Sequence, residues 1–231
     1  MAGRGVWSRK LLGGLMLVFL LGCAGVAWRE RSTLLSWFYI HNLTRAPQDN
    51  RERWVSRVAN LGETAIPGLF DCLGQSDSRV CDNARAALER MTQEWGSDHA
   101  PTVDLALRLA REFARFSPAG QRQALQLAAG WFTEPSGDVR SLVSPCSRLV
   151  GEAAGTTDAE VQTSALELCG ILLSRPDSSE VLRRPGQDLI RAALHDNTVD
   201  NRLRAIRLTL HPDMADLLEQ VVALLSDESP L

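Results

Sequence analysis

A block of about 40 residues recurs along the chain with the same order of polar and apolar positions. Its first copy is the segment 77–91, DSRVCDNARAALERM, and its central alanine returns at steps of 40, 41 and 40 residues. Each alanine has an apolar residue three positions later, and this spacing places both side chains on one stripe of a helix. We therefore predict four equivalent helices. Their register alanines are Ala84, Ala124, Ala165 and Ala205.

A helix-start signal precedes each register alanine by seven positions. Side chains of these types accept hydrogen bonds from the unpaired N–H groups of a first helical turn. The four residues are Asp77, Ser117, Asp158 and Thr198. Each copy of the block therefore begins with its own predicted N-cap.

A more variable second helix is predicted after each register helix. These second helices are expected over 99–116, 138–150, 179–194 and 214–225. Pro145 and Pro185 fall inside two of them, so kinks or breaks are expected there. Helix pairs with this period are typical of an α-solenoid, because one hairpin buries its apolar face only by stacking on the next. We expect an all-α fold of about four to five stacked hairpins.

An uncharged apolar run, 11–28, lies near the start of the chain behind the basic flank 1–10. As a helix its 18 residues would span about 27 Å, near the thickness of a bilayer's hydrocarbon core. Trp7 and Trp28 bracket the run, where indole rings favour the headgroup layer. We expect a single-pass anchor with the repeat domain outside the cytoplasm, because the preceding flank is the more positively charged.

Two other forms of membrane targeting fit the same run. Residues 20–23, Leu-Leu-Gly-Cys, resemble a bacterial lipobox, in which Cys23 would be lipidated and become the N-terminus of an envelope lipoprotein. A cleaved signal peptide is the third alternative, because small residues surround Cys23. The length of the run favours the uncleaved anchor.

Four regions follow from this pattern. They are the basic flank 1–10, the anchor 11–28, a juxtamembrane helix and hinge over 29–50, and the repeat domain 51–231. The juxtamembrane segment carries Trp37, Phe38 and Tyr39. These aromatic residues fit either the membrane interface or a cover over the open first face of the stack.

The segment 51–91 also carries a recognisable motif. Leu61-Gly62 ends one predicted helix, Ile66-Pro67-Gly68-Leu69 with Leu73 forms the next, and Asp77, Val80 and Ala84 open the third. This segment resembles a HEAT repeat of the armadillo-like α-solenoids. The resemblance implies a non-catalytic scaffold that binds a protein or peptide.

The chain departs from the HEAT pattern at the arginine that usually follows the valine. The residues at that position are Cys81, Gln121, Gln162 and Arg202. A continuous Asp–Arg ladder between repeats is therefore not expected, and apolar burial should hold the stack together.

The cysteines allow two interpretations. Cys72 and Cys81 lie at similar distances from the predicted turn 74–76, so antiparallel helices would bring them opposite each other as a disulfide. Alternatively, Cys72, Cys81, Cys146 and Cys169 are all small buried residues, as free cysteine often is.

Composition narrows the range of functions. The chain has 231 residues, 45% of them apolar and 23% charged, as in an ordinary globular protein. Three basic residues and no acidic one precede residue 29, so residues 29–231 carry a net charge of −6, which argues against a nucleic-acid partner.

Candidate chemistry is sparse. His211, Asp213 and Asp216 are close in sequence, but Asp213 fits a helix N-cap better than a metal ligand. Neither a metal nor a cofactor is expected, and no nucleophile or phosphate-binding motif occurs.

The sequence thus favours a membrane-tethered protein–protein interaction scaffold. The alternative is an accessory module for a partner enzyme, as in HEAT-like lyase or chaperone proteins.

Overall fold

The computed structural model describes residues 31–133, 138–219 and 221–222. Every regular element in these ranges is helical, and they contain no strand. The all-α prediction is therefore confirmed. The predicted anchor 11–28 and Cys23 lie outside the described residues.

Ten α-helices and three 3-10 helices occupy the described ranges. The α-helices are α1 (Arg31–Arg45), α2 (Gln48–Ala59), α3 (Ile66–Leu73), α4 (Ser78–Trp95), α5 (Ala100–Glu112), α6 (Pro118–Thr133), α7 (Arg140–Ala153), α8 (Ala159–Leu173), α9 (Ser179–Leu194) and α10 (Val199–Thr209). The 3-10 helices are Gly62–Ala65, Phe113–Arg115 and Pro212–Leu217. Within the part of the chain that the structure describes, every helix falls short of the length and apolarity needed to cross a bilayer.

Alternate helices pack against each other. Helices α2, α4, α6, α8 and α10 form one row, in which each helix contacts the next. On the other side α1 packs on α3, while α5, α7 and α9 pack in series and the 3-10 helix 212–217 follows α9. Contacts such as α7 with α8 and α9 with α10 join the two sides. One continuous apolar core extends from Ile40 to Val221.

The register alanines all lie in the first row. Ala84, Ala124, Ala165 and Ala205 belong to α4, α6, α8 and α10 and are at most 1% exposed. A methyl side chain at these positions lets neighbouring helices approach closely. In the second helices, Leu109, Leu149 and Ile190 each follow a register alanine by 25 residues, and all three are buried.

Three of the four predicted N-caps make the capping hydrogen bond. Asp77 accepts from the Arg79 N–H group, Asp158 accepts from two N–H groups of α8, and Ser117 Oγ accepts from the Gly120 N–H group at 3.1 Å. Thr198 makes no side-chain cap bond. Its own N–H group donates to Asp196 Oδ1 at 2.6 Å.

The two internal prolines do not split their helices. Pro145 lies within α7 and Pro185 within α9, and both helices continue past them. The predicted break is therefore wrong. Each proline removes one backbone hydrogen bond, and the packing of α7 and α9 on each other and on α8 keeps the flanking turns helical.

Candidate interaction surfaces

The junctions within the first row carry a different polar link at each step. Between α2 and α4, Arg51 donates to Asp82 Oδ2 at 2.6 Å and to Asn83 Oδ1 at 2.7 Å. Between α4 and α6, Trp131 Nε1 donates to Thr92 Oγ1 at 3.2 Å. These links are local pairings and do not repeat one motif.

The later junctions use other residues again. Arg122 of α6 forms an ion pair with Glu160 of α8. Thr163 Oγ1 of α8 donates to Asn201 Oδ1 of α10 at 2.6 Å, and the Asn201 side chain is fully buried. Each junction of the row therefore has its own polar pairing.

A close backbone approach lies where α6 begins against the end of α3. The Ser117 N–H group donates to the Leu73 carbonyl at 3.1 Å. A Cβ atom on Gly120 would lie 1.9 Å from that same carbonyl oxygen. Gly120 occupies the register position held by Val80 in α4 and Val161 in α8, so the exception in the sequence marks backbone contact in the structure.

The predicted disulfide between Cys72 and Cys81 is not formed, since both residues are free thiols. The Cys81 Sγ atom lies 3.1 Å from the Gln75 carbonyl oxygen and 3.5 Å from the Cys72 carbonyl oxygen, so it is directed at backbone acceptors at the end of α3. Burial raises the pKa of the Cys72 thiol to about 12. Cys146 and Cys169 are also free and buried, and burial raises their pKa values as well.

Helix α1 has a packed face and an exposed face. Ile40 and Leu43 are buried, and the Tyr39 ring lies 6.2 Å from the Trp54 ring, measured between centroids. Trp37, by contrast, is 67% exposed and Phe38 is 49% exposed. Buried and exposed residues of this aromatic segment therefore lie on different sides of one helix.

A groove of about 550 Å³ separates the exposed face of α1 from α3. Its wall includes Trp37 and His41, whose rings stack at 5.3 Å between centroids with an interplanar angle of 12°. Asp71 and Gln75 of the α3 side complete the rim. The stacking holds the Trp37 indole at the surface while leaving most of it open to solvent.

Helix α10 carries the other exposed apolar surface. Val199, Leu203 and Leu210 are 56%, 48% and 72% exposed, and Ile206 between them is half-buried. Their spacing of four, three and four residues aligns them along one side of the helix, as in the seam of a coiled coil. The buried Ala205 lies on the opposite side. We call these four residues the α10 stripe.

Other exposed apolar residues lie in the second helices and in the last predicted one, where Leu218 is 38% and Val222 is 60% exposed. Leu107 of α5 is 44% exposed and Val181 of α9 is 46% exposed. The sequence analysis did not single out the α10 stripe. The spacing from Val199 to Leu210 was the available signal, but spacing alone does not say which side of a helix is covered.

Of the three residues considered as metal ligands, His211 and Asp213 are in contact, with 3.5 Å between Nδ1 and Oδ2, but Asp216 pairs elsewhere. His211 Nδ1 accepts from the Asp213 N–H group at 3.3 Å, so it acts as an N-cap. Asp216 pairs instead with Arg183, and this hydrogen-bonded guanidinium lowers the pKa of the Asp216 carboxyl. The described residues contain no cluster of three histidine, cysteine or acidic side chains positioned to hold a metal.

Together these observations define the class as an all-helical protein of packed helices, with exposed apolar side chains on its first and last described α-helices. No protein-family profile matches the chain, and neither a curated protein nor a solved structure shows significant similarity to it.

Proposed function

We propose that the chain is a membrane-tethered, non-catalytic interaction scaffold with the architecture of a short HEAT-like α-solenoid. The contacts between alternate helices and the shared burial of the register alanines support the solenoid. The apolar run 11–28 supports the tether. The protein partner docks on the α10 stripe, and the exposure of that stripe is the observation that carries the proposal.

The register position of Leu203 favours a helical partner. At the same position α6 has Arg122, which pairs with the next helix, and α8 has Thr163, which also bonds to the next helix. Leu203 is therefore located where a following helix would pack. It is apolar and exposed, so the binding site accepts another helix through side-chain burial.

The charges beside the stripe define the chemistry of that partner. Arg202 and Arg207 lie on either flank of the stripe. Arg207 is exposed, whereas Arg202 is half-buried and donates to the Asp196 and Asn197 carbonyls. Arginines beside an apolar seam favour acidic residues at the flanking positions of the helix that packs there. We therefore expect an amphipathic helix with an apolar seam and acidic flanks.

The test is a matched pair of substitutions in the full-length chain. Leu203→Glu places a charge in the stripe, whereas Leu107→Glu places the same charge on α5 at a similar exposure, 44% against 48%. Each variant and the parent chain serve as bait in detergent-solubilised membranes, with quantitative mass spectrometry of the captured proteins. We expect a protein captured by the parent and by Leu107→Glu to be lost with Leu203→Glu.

The outcomes separate the alternatives. Equal capture by both variants contradicts binding at the α10 stripe. Capture of a second copy of this chain, sensitive to Leu203→Glu, would assign the stripe to self-association instead.

Mass spectrometry of the mature N-terminus tests the tether, because it distinguishes an intact run, a lipidated Cys23 and a cleaved signal peptide. A topology reporter fused after Leu231 checks that the repeat domain is outside the cytoplasm.

A further inference from the structure

We propose that the exposed face of α1, formed by Trp37, Phe38, His41 and Arg45, lies against the surface of the bilayer and fixes the orientation of the helical body. This inference rests on the proposed tether. It adds a second, peripheral membrane contact made by the folded domain itself.

The connection to the apolar run places α1 within reach of the membrane. The run ends at Trp28, and α1 begins three residues later at Arg31. Three residues span at most about 10 Å, and the helical rise from Arg31 to Trp37 adds about 9 Å. Trp37 therefore lies within about 20 Å of the end of the run, whatever the path of the connection.

The charge distribution indicates that α1, rather than the rest of the helical body, faces an anionic lipid surface. Helix α1 contains two arginines, one histidine and no acidic residue. Residues 29–45 hold three arginines and one glutamate, so residues 46–231 carry a net charge of −8. An anionic lipid surface attracts the first segment and repels the rest of the chain, because each basic residue near such a surface contributes favourably.

The side chains of the exposed face match the chemistry of the interface. Trp37 is the more exposed of its two aromatic residues at 67%, and Phe38 is exposed at 49%. Indole rings favour the headgroup layer, where the apolar ring and its N–H group are both accommodated. The opposite face of α1 packs on α2, α3 and α4. Phe38 also contacts the Trp54 ring, at 6.4 Å between centroids, and still leaves 49% of its surface exposed.

Docking of α1 would give the helical body a fixed orientation relative to the membrane. Helix α1 packs at one end of the body, while α10 packs on α8 and α9 at the other. With α1 on the lipid surface, the α10 stripe projects from the distal end of the row toward partners outside the membrane.

The experiment uses the full-length chain in anionic and neutral phospholipid vesicles. His41→Cys introduces a thiol beside Trp37 for an environment-sensitive fluorophore, and Leu107→Cys on α5 provides the matched control. The parent chain, treated with the same reagent, corrects for label at Cys23, while the buried thiols react slowly because burial raises their pKa values. We expect blue-shifted emission at position 41 in anionic vesicles, and emission typical of water at position 107.

Two further variants test whether Trp37 and Arg45 cause the blue shift at position 41. Trp37→Ser, combined with His41→Cys, should return the emission toward that of the control. Arg45→Gln should lower the ratio of docked to undocked α1 by about fivefold in anionic vesicles, as expected for one basic residue at such a surface. Circular dichroism confirms that each variant folds.

The experiment distinguishes failure of the proposed membrane tether from failure of the proposed docking of α1. If the chain floats with vesicles but position 41 stays as polar as position 107, the docking of α1 is wrong and the tether stands. If the chain does not associate with vesicles at all, both are wrong. Blue-shifted emission that Trp37→Ser leaves unchanged would also overturn the proposed role of the aromatic face.

Discussion

The junction between α3 and α6 is closely packed, whereas one side of α10 exposes apolar side chains. At the junction Gly120 brings α6 so close to Leu73 that no space remains for a single methyl group. On α10, Leu203 and Leu210 have much of their surface open to solvent. The same helical body therefore contains a closely packed junction and a helix surface with exposed apolar side chains.

The comparison suggests a division of roles. Close backbone contact leaves little freedom for substitution, so the α3–α6 junction contributes stability. Exposed apolar side chains contribute little to the stability of the fold, but their burial on docking contributes favourably to the free energy of binding. Five experiments can break or sharpen this contrast.

The largest difference is expected in thiol reactivity. Raising a thiol pKa from 9.0 to about 12, as burial does for Cys72, lowers the thiolate fraction at pH 8 about a thousandfold. Cys72 should stay unmodified by a thiol reagent in the native chain, whereas a thiol introduced by Leu203→Cys should react as an exposed one. Peptide mapping by mass spectrometry identifies each site, and equal rates would show that the junction opens readily.

The same pKa shift fixes the sign of a pH effect. A folded-state pKa above the unfolded value means that the protonated thiol stabilises the fold, fully so below about pH 9. The free energy of unfolding should therefore fall as the pH rises from about 9 toward 12. Urea titrations of the parent and of Cys72→Ala across this range should show a shallower fall in the variant.

Substitution of Gly120 is expected to have the largest effect on stability. Gly120→Ala forces a Cβ atom toward the Leu73 carbonyl, and we expect a loss of about 3 kcal/mol, at the upper end of the cost of overpacking. Gly130→Ala on the same helix meets no atom within 4 Å and should instead stabilise the chain by about 0.4–1 kcal/mol. Urea denaturation of both variants checks the opposite signs, and equal effects would contradict the close contact.

The link between α8 and α10 should come next in size. Asn201→Ala removes the acceptor for Thr163 and the donor to the Ala159 carbonyl, and it leaves a void at a fully buried position. We expect a loss of about 2 kcal/mol. The exposed Asn197→Ala serves as the control. If thermal unfolding gives the same midpoint for both variants, the buried amide does not secure α10.

The smallest effect on stability is expected at the α10 stripe. Leu203→Glu should change the free energy of unfolding by no more than about 0.5 kcal/mol, because its side chain is already largely exposed. The same variant should lose its captured partner. A loss of several kcal/mol in urea denaturation would mean that Leu203 belongs to the core, which would remove the separation between folding and binding.

Much of the fold followed from local spacing. The period of the register alanines predicted α4, α6, α8 and α10, and the preceding polar residues predicted their starts, because helix periodicity and capping depend on residues close in sequence. The predicted breaks at Pro145 and Pro185 were wrong, since packing on neighbouring helices maintains α7 and α9. Of the two interpretations of the cysteines, the structure has the free buried thiols, and the orientation of the Cys81 sulfur depends on the turn after α3 and on Ser117 of the next helix pair.

By itself the sequence determined the helical class, the register and the burial of the register alanines, since each depends on apolar residues recurring at helical intervals. Only the tertiary structure decided which apolar positions are covered. Leu125 and Leu166 occupy the same register position as Ile206 and are at most 2% exposed, whereas Ile206 is half-buried. The physical reason is that burial depends on the neighbour that packs on a helix: α6 is followed in the row by α8, and α8 by α10, but no further helix of the described residues follows α10 in that row.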